Sequence, residues 1–275
     1  MVSKKRWGVL LSLLVLLLML SGCQTKTADV EIDTTEVDLS VYPQGGYFIT
    51  PQEVQGLLGS EDLVILDCNK PDIYEKEHIP GAISLGFHGF SDKVGKPGDP
   101  GWGTIKPKDE LEEQLTALGI DNEKTVVFYS NVFKGPGADG RAVWQLSLAG
   151  MDNVKILYGG STYWKDLGYE MTKEVPESPM SSDGVTLKEY DDSFFATKEA
   201  IYSTLGEELL LDVRSEKEYK GSQNAGEPRG GHIAGAEHFL WTGFLEDNGT
   251  LKSPEAIEAI MTEFGVNKED DFTLY

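Results

Sequence analysis

Short apolar runs closed by an acidic residue set the rhythm of this chain. Leu63, Val64, Ile65 and Leu66 lead into Asp67, and Leu209, Leu210 and Leu211 lead into Asp212. Runs of this length, apolar without alternation, predict strands buried on both faces. Residues 125–129, 154–158 and 272–275 read the same way. Between them the spacing becomes helical. Leu111, Leu115 and Leu118 recur at i, i+4 and i+7, with Gly119 as the stop. Val54, Leu57 and Leu58 follow the cap and first-turn pair Thr50-Pro51, and Ser253-Pro254 opens another helix in the same manner. Helices are also expected over 142–149, after the stretch 159–164, and over 196–202, while the Gly/Pro-rich residues 86–103 read as a loop. Strands alternating with helices predict an α/β fold built on a mainly parallel sheet.

The pattern occurs twice. Asp67 and Asp212 are 145 residues apart, as are Tyr74 and Tyr219, while Gly119 to Gly265 and Tyr129 to Tyr275 are both 146. The pair His78 and His232 is 154 apart, so the second copy carries nine extra residues in one loop. A self-similarity this long is an internal duplication. It divides the chain into a first domain at 46–173, a Pro-, Ser- and acid-rich linker at 174–190, and a second domain at 191–275. By the 146 offset the counterpart of Ser130 is position 276. The second copy is therefore expected to be incomplete, without equivalents of the forty residues from Ser130 to Tyr169. A sheet edge and apolar surface should be left open there.

Composition and charge add an address. Lys4, Lys5 and Arg6 precede an apolar stretch at 7–20, too short for a comfortable membrane span, and Leu20-Ser21-Gly22-Cys23 closes it. This resembles a bacterial lipoprotein signal. It implies a signal peptide at 1–22, lipidation of Cys23, and a place on the extracytoplasmic face of the cell membrane. Residues 23–45, polar and acidic, read as a flexible tether. The formal charge is −22, and removing the three basic side chains before Cys23 takes it to −25. A field of that sign argues against nucleic acid as a partner and for a self-repelling, monomeric body. Cys68, the other cysteine, stands where the second copy has Val213, so it is expected to be packed and inert.

Four motifs carry a further resemblance. They are Asp-Val-Arg at 212–214, Glu218-Tyr219, Gly-His-Ile-x-Gly-Ala at 231–236, and Asp-Asn-Gly-Thr-Leu-Lys-Ser-Pro-Glu at 247–255. Each is weak alone. In this order, and partly in both copies, they make residues 46–275 resemble the two-domain rhodanese family, the thiosulfate sulfurtransferases. The resemblance implies tandem rhodanese-like α/β domains, an inactive first copy, and a catalytic cysteine in the second. That thiolate takes the outer sulfur of thiosulfate, sulfite leaves, and the persulfide passes its sulfur to cyanide or a thiol. The implied partners are a small anionic donor and a thiol or cyanide acceptor, with no metal or organic cofactor.

The site residues follow from this frame. Ser130 stands at the cysteine position of the first copy, and serine cannot hold a persulfide sulfur. No Gly-x-Ser-x-Gly elbow surrounds it. Its loop is expected to run to Arg141, longer than the family's compact cradle. No catalytic residue lies within the chain, the nucleophile being expected just after Tyr275. Asp212 and Arg214 sit at a strand's carboxyl end, where parallel sheets bind ligands. Arg214 replaces Asn69 of the first copy, which suits an oxyanion pocket or an ion pair with Glu216 or Glu218. Arg229 is a second cationic candidate, and Trp241 and Phe244 are either pocket wall or core. His232 has a duplicate in His78, which suits a brace for the turn better than an acid or a ligand. Four histidines without clustered spacing argue against a metal site. The alternatives are a non-catalytic binding module held at the membrane, or a related arsenate reductase or phosphatase, classes separated by the loop after Tyr275.

Overall fold

Both faces of the first sheet are covered, which is why its strands are apolar without alternation. The computed structural model describes residues 37–177, 184–224 and 226–275. Cys23, the apolar stretch at 7–20 and part of the linker lie outside them. The chain enters through β1 (Phe48–Ile49), α1 (Pro51–Leu57), β2 (Leu63–Asp67), α2 (Pro71–Tyr74) and β3 (Ile83–Ser84). A hairpin of β4 (Ser91–Lys93) and β5 (Trp102–Ile105) precedes α3 (Lys108–Ala117), β6 (Thr125–Tyr129), α4 (Ala138–Leu148), β7 (Val154–Leu157) and α5 (Gly160–Asp166). The five-stranded sheet has the order β1-β7-β6-β2-β3, with every pairing parallel. Val64, Leu66, Val126 and Phe128 point to one side, against Leu111 and Leu115 of α3 and Leu146 of α4. Ile65, Val127 and Tyr129 point to the other, against Val54 of α1 and Trp164 of α5. Thr50 and Glu53 close a reciprocal capping box at the start of α1.

The second copy repeats this plan with fewer elements. It consists of α6 (Lys198–Ser203), β8 (Leu209–Asp212), α7 (Glu216–Tyr219), β9 (Glu237–His238), α8 (Pro254–Glu263) and β10 (Phe272–Leu274), with sheet order β10-β8-β9. Registers agree across the duplication. Leu66 faces Ile83 and Phe128, and Leu211 faces the matching Glu237 and Leu274. The packing does not agree. In the first copy β6 has β7 on its far side, whereas β10 is an edge strand with Phe272 39% and Leu274 58% exposed. No residue of α8 is fully buried.

Two expectations are corrected. The loop at 86–103 contains the β4–β5 hairpin. Its strands are too short and too polar to show periodicity. The segment after Ser130 is also shorter than expected. Left-handed Gly137 (φ 77°) ends it, and α4 begins at Ala138, four residues before Ala142. The loop is thus residues 131–137. Arg141 lies inside the helix and donates to Gly103 O at 2.5 Å, tying the hairpin down.

Candidate active site

At the carboxyl ends of the central strands both copies build the same frame of hydrogen bonds. Tyr129 Oη donates to Asp67 Oδ2 at 2.6 Å and accepts from Ile79 N–H at 3.1 Å. In the second copy Tyr275 Oη accepts from Ile233 N–H at 2.9 Å and also hydrogen-bonds Asp212. Tyr74 and Tyr219 donate to Ala82 O and Ala236 O at 2.8 and 3.0 Å. Each tyrosine stacks on its histidine, with ring centroids 3.8 Å apart for Tyr74–His78 and 3.7 Å for Tyr219–His232. Each histidine Nδ1 lies 2.9 or 2.8 Å from the carbonyl oxygen of that same tyrosine. Both histidines thus brace the turn. The role of Tyr129 and Tyr275 could have been found in the sequence, because both keep the repeat's offset.

In the first copy the polar groups at the strand end are committed to one another. Asn69 Nδ2 donates to Asp67 Oδ1 at 2.7 Å, and Asn69 Oδ1 accepts from Asn131 N–H at 2.8 Å. That N–H, the first of the loop after Ser130, is therefore not available to an anion. Ser130 is 1% exposed. Its Oγ has no partner of good hydrogen-bond geometry, though it and the Ser130 backbone interact with the Asp139 carboxylate. Asp139 is buried, which pushes its carboxyl above the ordinary range against the opposing pull of Ser130 and of backbone N–H groups. Nothing in the sequence singled Asp139 out. Cys68 packs in the core beside Leu66 and Phe128. Burial, then the Asp139 and Asp67 charges, push its thiol well above the usual value.

We expect Ser130→Cys to leave this copy without sulfur transfer. Its thiol would be buried beside Asp139, so its pKa should rise and the thiolate be scarce at neutral pH. Sulfite release from thiosulfate and thiol labelling of the folded protein check this. Fast labelling with turnover would contradict it.

In the second copy a guanidinium takes the place of the amide. Arg214 Nε and Nη2 grip the two oxygens of Asp212 at 2.9 and 2.5 Å, and Nη2 also donates to Gly231 O at 2.9 Å. The group stands 5.3 Å from the ring centre of Tyr275. The expected partners Glu216 and Glu218 are used elsewhere. Glu216 pairs with Lys220, and Glu218 closes a capping box with Ser215. The difference inverts the electrostatics of two equivalent carboxylates. Burial dominates at Asp67, whose pKa is raised despite Tyr129 and Asn69. Burial also pushes Asp212 up, but the hydrogen bonds and charge of Arg214 outweigh it and hold the carboxyl below its ordinary range. His238 Nε2 lies 2.8 Å from Arg214 O, a contact with no counterpart at Ser84.

The remaining candidates are spread out. Arg229 is exposed in the loop between α7 and β9. Phe244 packs on Phe239, which packs on Phe264. Trp241 abuts Gly137 of the first copy's loop. The last residues of the expected tether are instead docked on the second copy, where Tyr42 Oη donates to Lys252 O at 3.1 Å. Gly249 fits so tightly that a β-carbon there would lie 2.8 Å from both Gly159 O and Val132 Cγ2. The loop after Ser130 is thus packed directly on the second copy.

A sequence model of the rhodanese-like domain matches residues 50–167. A putative thiosulfate sulfurtransferase of Saccharopolyspora erythraea is 31% identical over 210 residues, covering 74% of this chain and 71% of the relative. The chain belongs to the rhodanese family. The thiosulfate sulfurtransferase of Azotobacter vinelandii is 28% identical over 233 residues, 82% of this rhodanese and 81% of the relative. The crystal structure of SseA from Escherichia coli, described as a 3-mercaptopyruvate sulfotransferase with the rhodanese fold, superposes with a TM-score of 0.65. It covers 83% of this chain and 87% of that one at 19% identity, a likeness of fold. The frame that holds Asp212, Arg214 and Tyr275 is thus a rhodanese strand-end frame. Within this rhodanese only the second copy carries a cation in it.

Proposed function

We propose that this rhodanese transfers sulfane sulfur from thiosulfate to cyanide or a thiol through a cysteine persulfide in its second copy. One observation carries the reading. In the first copy the side chain at the Asn69 position reaches the N–H of the second residue beyond Tyr129. Its counterpart Arg214 is a cation beside Tyr275. The repeat assigns the nucleophile to the residue that follows Tyr275, so the guanidinium would flank that residue and its anionic donor. Asp212 would keep the guanidinium oriented and the Tyr275 ring would limit its swing. A cation there favours the thiolate over the thiol, binds the sulfonate end of thiosulfate, and stabilises departing sulfite. Phosphatase or arsenate reductase chemistry would be told apart by the length of the loop after Tyr275.

The test is where sulfur goes. After treatment of a protein continued beyond Tyr275 with thiosulfate, mass spectrometry should find one added sulfur atom on the residue that follows Tyr275. Sulfur on Cys68, or on no residue, would overturn the reading.

We further propose that the protein works at the outer face of the cell membrane, anchored by lipid on Cys23. The basic, apolar and Leu-Ser-Gly-Cys order of residues 4–23 supports this. Among the described residues no helix is long and apolar enough to cross a membrane. Cys23→Ala should release the protein from membranes or leave its precursor uncut, as fractionation and intact-mass measurement would record. An unmodified Cys23 in membrane-free protein from the native host would refute the anchor.

A further inference from the structure

The first copy keeps an open cavity of about 140 Å³ at the carboxyl ends of β2 and β6. That is several times the roughly 30 Å³ share of one water molecule. It has room for a small ion with some solvent. Its floor is polar and buried, with Tyr129 at 0%, Ser161 at 4% and Asn69 at 6% exposure. Lys76, Lys134 and Lys165 line its walls against one carboxylate, Glu77. In a chain of formal charge −22 this is a local reversal of sign.

The three ammonium groups are loosely committed. Lys165 pairs with Glu77, both more than a third exposed. Lys76 reaches Asp72 at 3.8 Å, with side chains 76% and 69% exposed, a geometry that contributes little in water. Lys134 makes no ion pair among the described residues. An entering dianion could therefore take Lys134 directly and displace Glu77 from Lys165. Sulfur transfer has no use for this cavity, because the loop N–H it would need is already held by Asn69.

We infer that this cavity is an anion site, binding a small divalent oxyanion of the thiosulfate and sulfate class between Lys134 and Lys165. It is separate from the chemistry of the second copy. The two lysines supply the charge, Ser161, whose hydroxyl donates to Ser130 O at 3.4 Å, lines the buried polar part, and Glu77 is the internal competitor.

The test is calorimetric titration of the 275-residue protein with sodium thiosulfate and sodium sulfate, against sodium chloride at matched ionic strength. Sulfate also stabilises folded proteins by exclusion from their surfaces, so saturable heat rather than melting temperature decides. Both dianions should bind saturably and chloride should not. Lys134→Ala and Lys165→Ala should each weaken binding about tenfold, the worth of one charge-assisted contact. Glu77→Gln should tighten it while leaving every lysine in place, which keeps the test open if a lysine variant folds poorly. Arg214→Asn should leave it unchanged. Heats equal to those of chloride, binding indifferent to both lysines and to Glu77, or binding lost in Arg214→Asn would each overturn the site.

Discussion

A polypeptide of residues 1–275 should release no sulfite from thiosulfate, while one continued through the next forty or so residues of the repeat should turn over. The expected difference is complete. Persulfide chemistry needs a thiolate that is exposed and held by cations or N–H groups. The chain to Tyr275 offers two cysteines. Cys68 is 3% exposed, with burial and two nearby carboxylates pushing its thiol up, so it is both unreachable and protonated. Cys23 lies outside the described residues, which begin at Val37, and is the proposed lipid site. The continuation would also cover β10, whose Phe272 and Leu274 are exposed at an open edge. Activity and resistance to proteolysis should therefore rise together. Sulfite or thiocyanate release, measured on both polypeptides alongside limited proteolysis, checks the pairing. Equal thiosulfate-dependent turnover by the shorter chain would show that the site lies elsewhere.

Loss of Arg214 should cost both stability and turnover, and two substitutions should separate those effects. Asp212 is 0% exposed and its two oxygens rest on the guanidinium. Arg214→Ala strands that carboxylate, which costs about 2–3 kcal/mol. This is below the roughly 3–5 of a wholly buried pair, because the guanidinium is itself partly solvated. Arg214→Asn instead recreates the first copy, where Asn69 serves Asp67 with two hydrogen bonds. Its stability loss should be about half as large or less. Both variants, in a protein continued beyond Tyr275, should lose about 10- to 150-fold in kcat/KM for thiosulfate. That corresponds to a charge-assisted contact of about 1.5–3 kcal/mol. A normal kcat/KM in folded Arg214→Asn would mean the arginine serves structure alone.

Acid separates the variants further. The pKa of Asp212 is lowered on folding, so its pairing stabilises the protein above the ordinary carboxylate range and is lost as pH falls through the folded value. In Arg214→Asn the carboxyl should move up, as Asp67 does. That contribution then favours folding at low pH and fades as pH rises through the folded value. Urea unfolding at about pH 7 and about pH 3 should show the gap between wild type and Arg214→Asn narrowing in acid. A constant gap would mean that Asp212 does not titrate against Arg214.

The order of elements was legible in the sequence because it is a local property. Apolar runs without alternation gave β2, β6 and β8, and Thr50-Pro51 and Ser253-Pro254 marked two helix starts to the residue. The duplication was legible too, since a repeat offset holds only if both copies fold with one register. The strand-end placement of Asp212 and Arg214 followed from that register. Other features depend on contacts between residues far apart in the chain, which periodicity does not record. The hairpin at 91–105 is held by Arg141, and the loop after Ser130 ends where Gly137 can adopt a left-handed turn. Glu216 was as near to Arg214 in sequence as Asp212, but the strand's geometry turns the guanidinium back onto Asp212. Tertiary structure also decided that, at equivalent positions, an amide is too weak to offset the burial of Asp67 while a guanidinium outweighs that of Asp212. A sequence names the charges, but burial and hydrogen-bond direction set which protonation state each site holds.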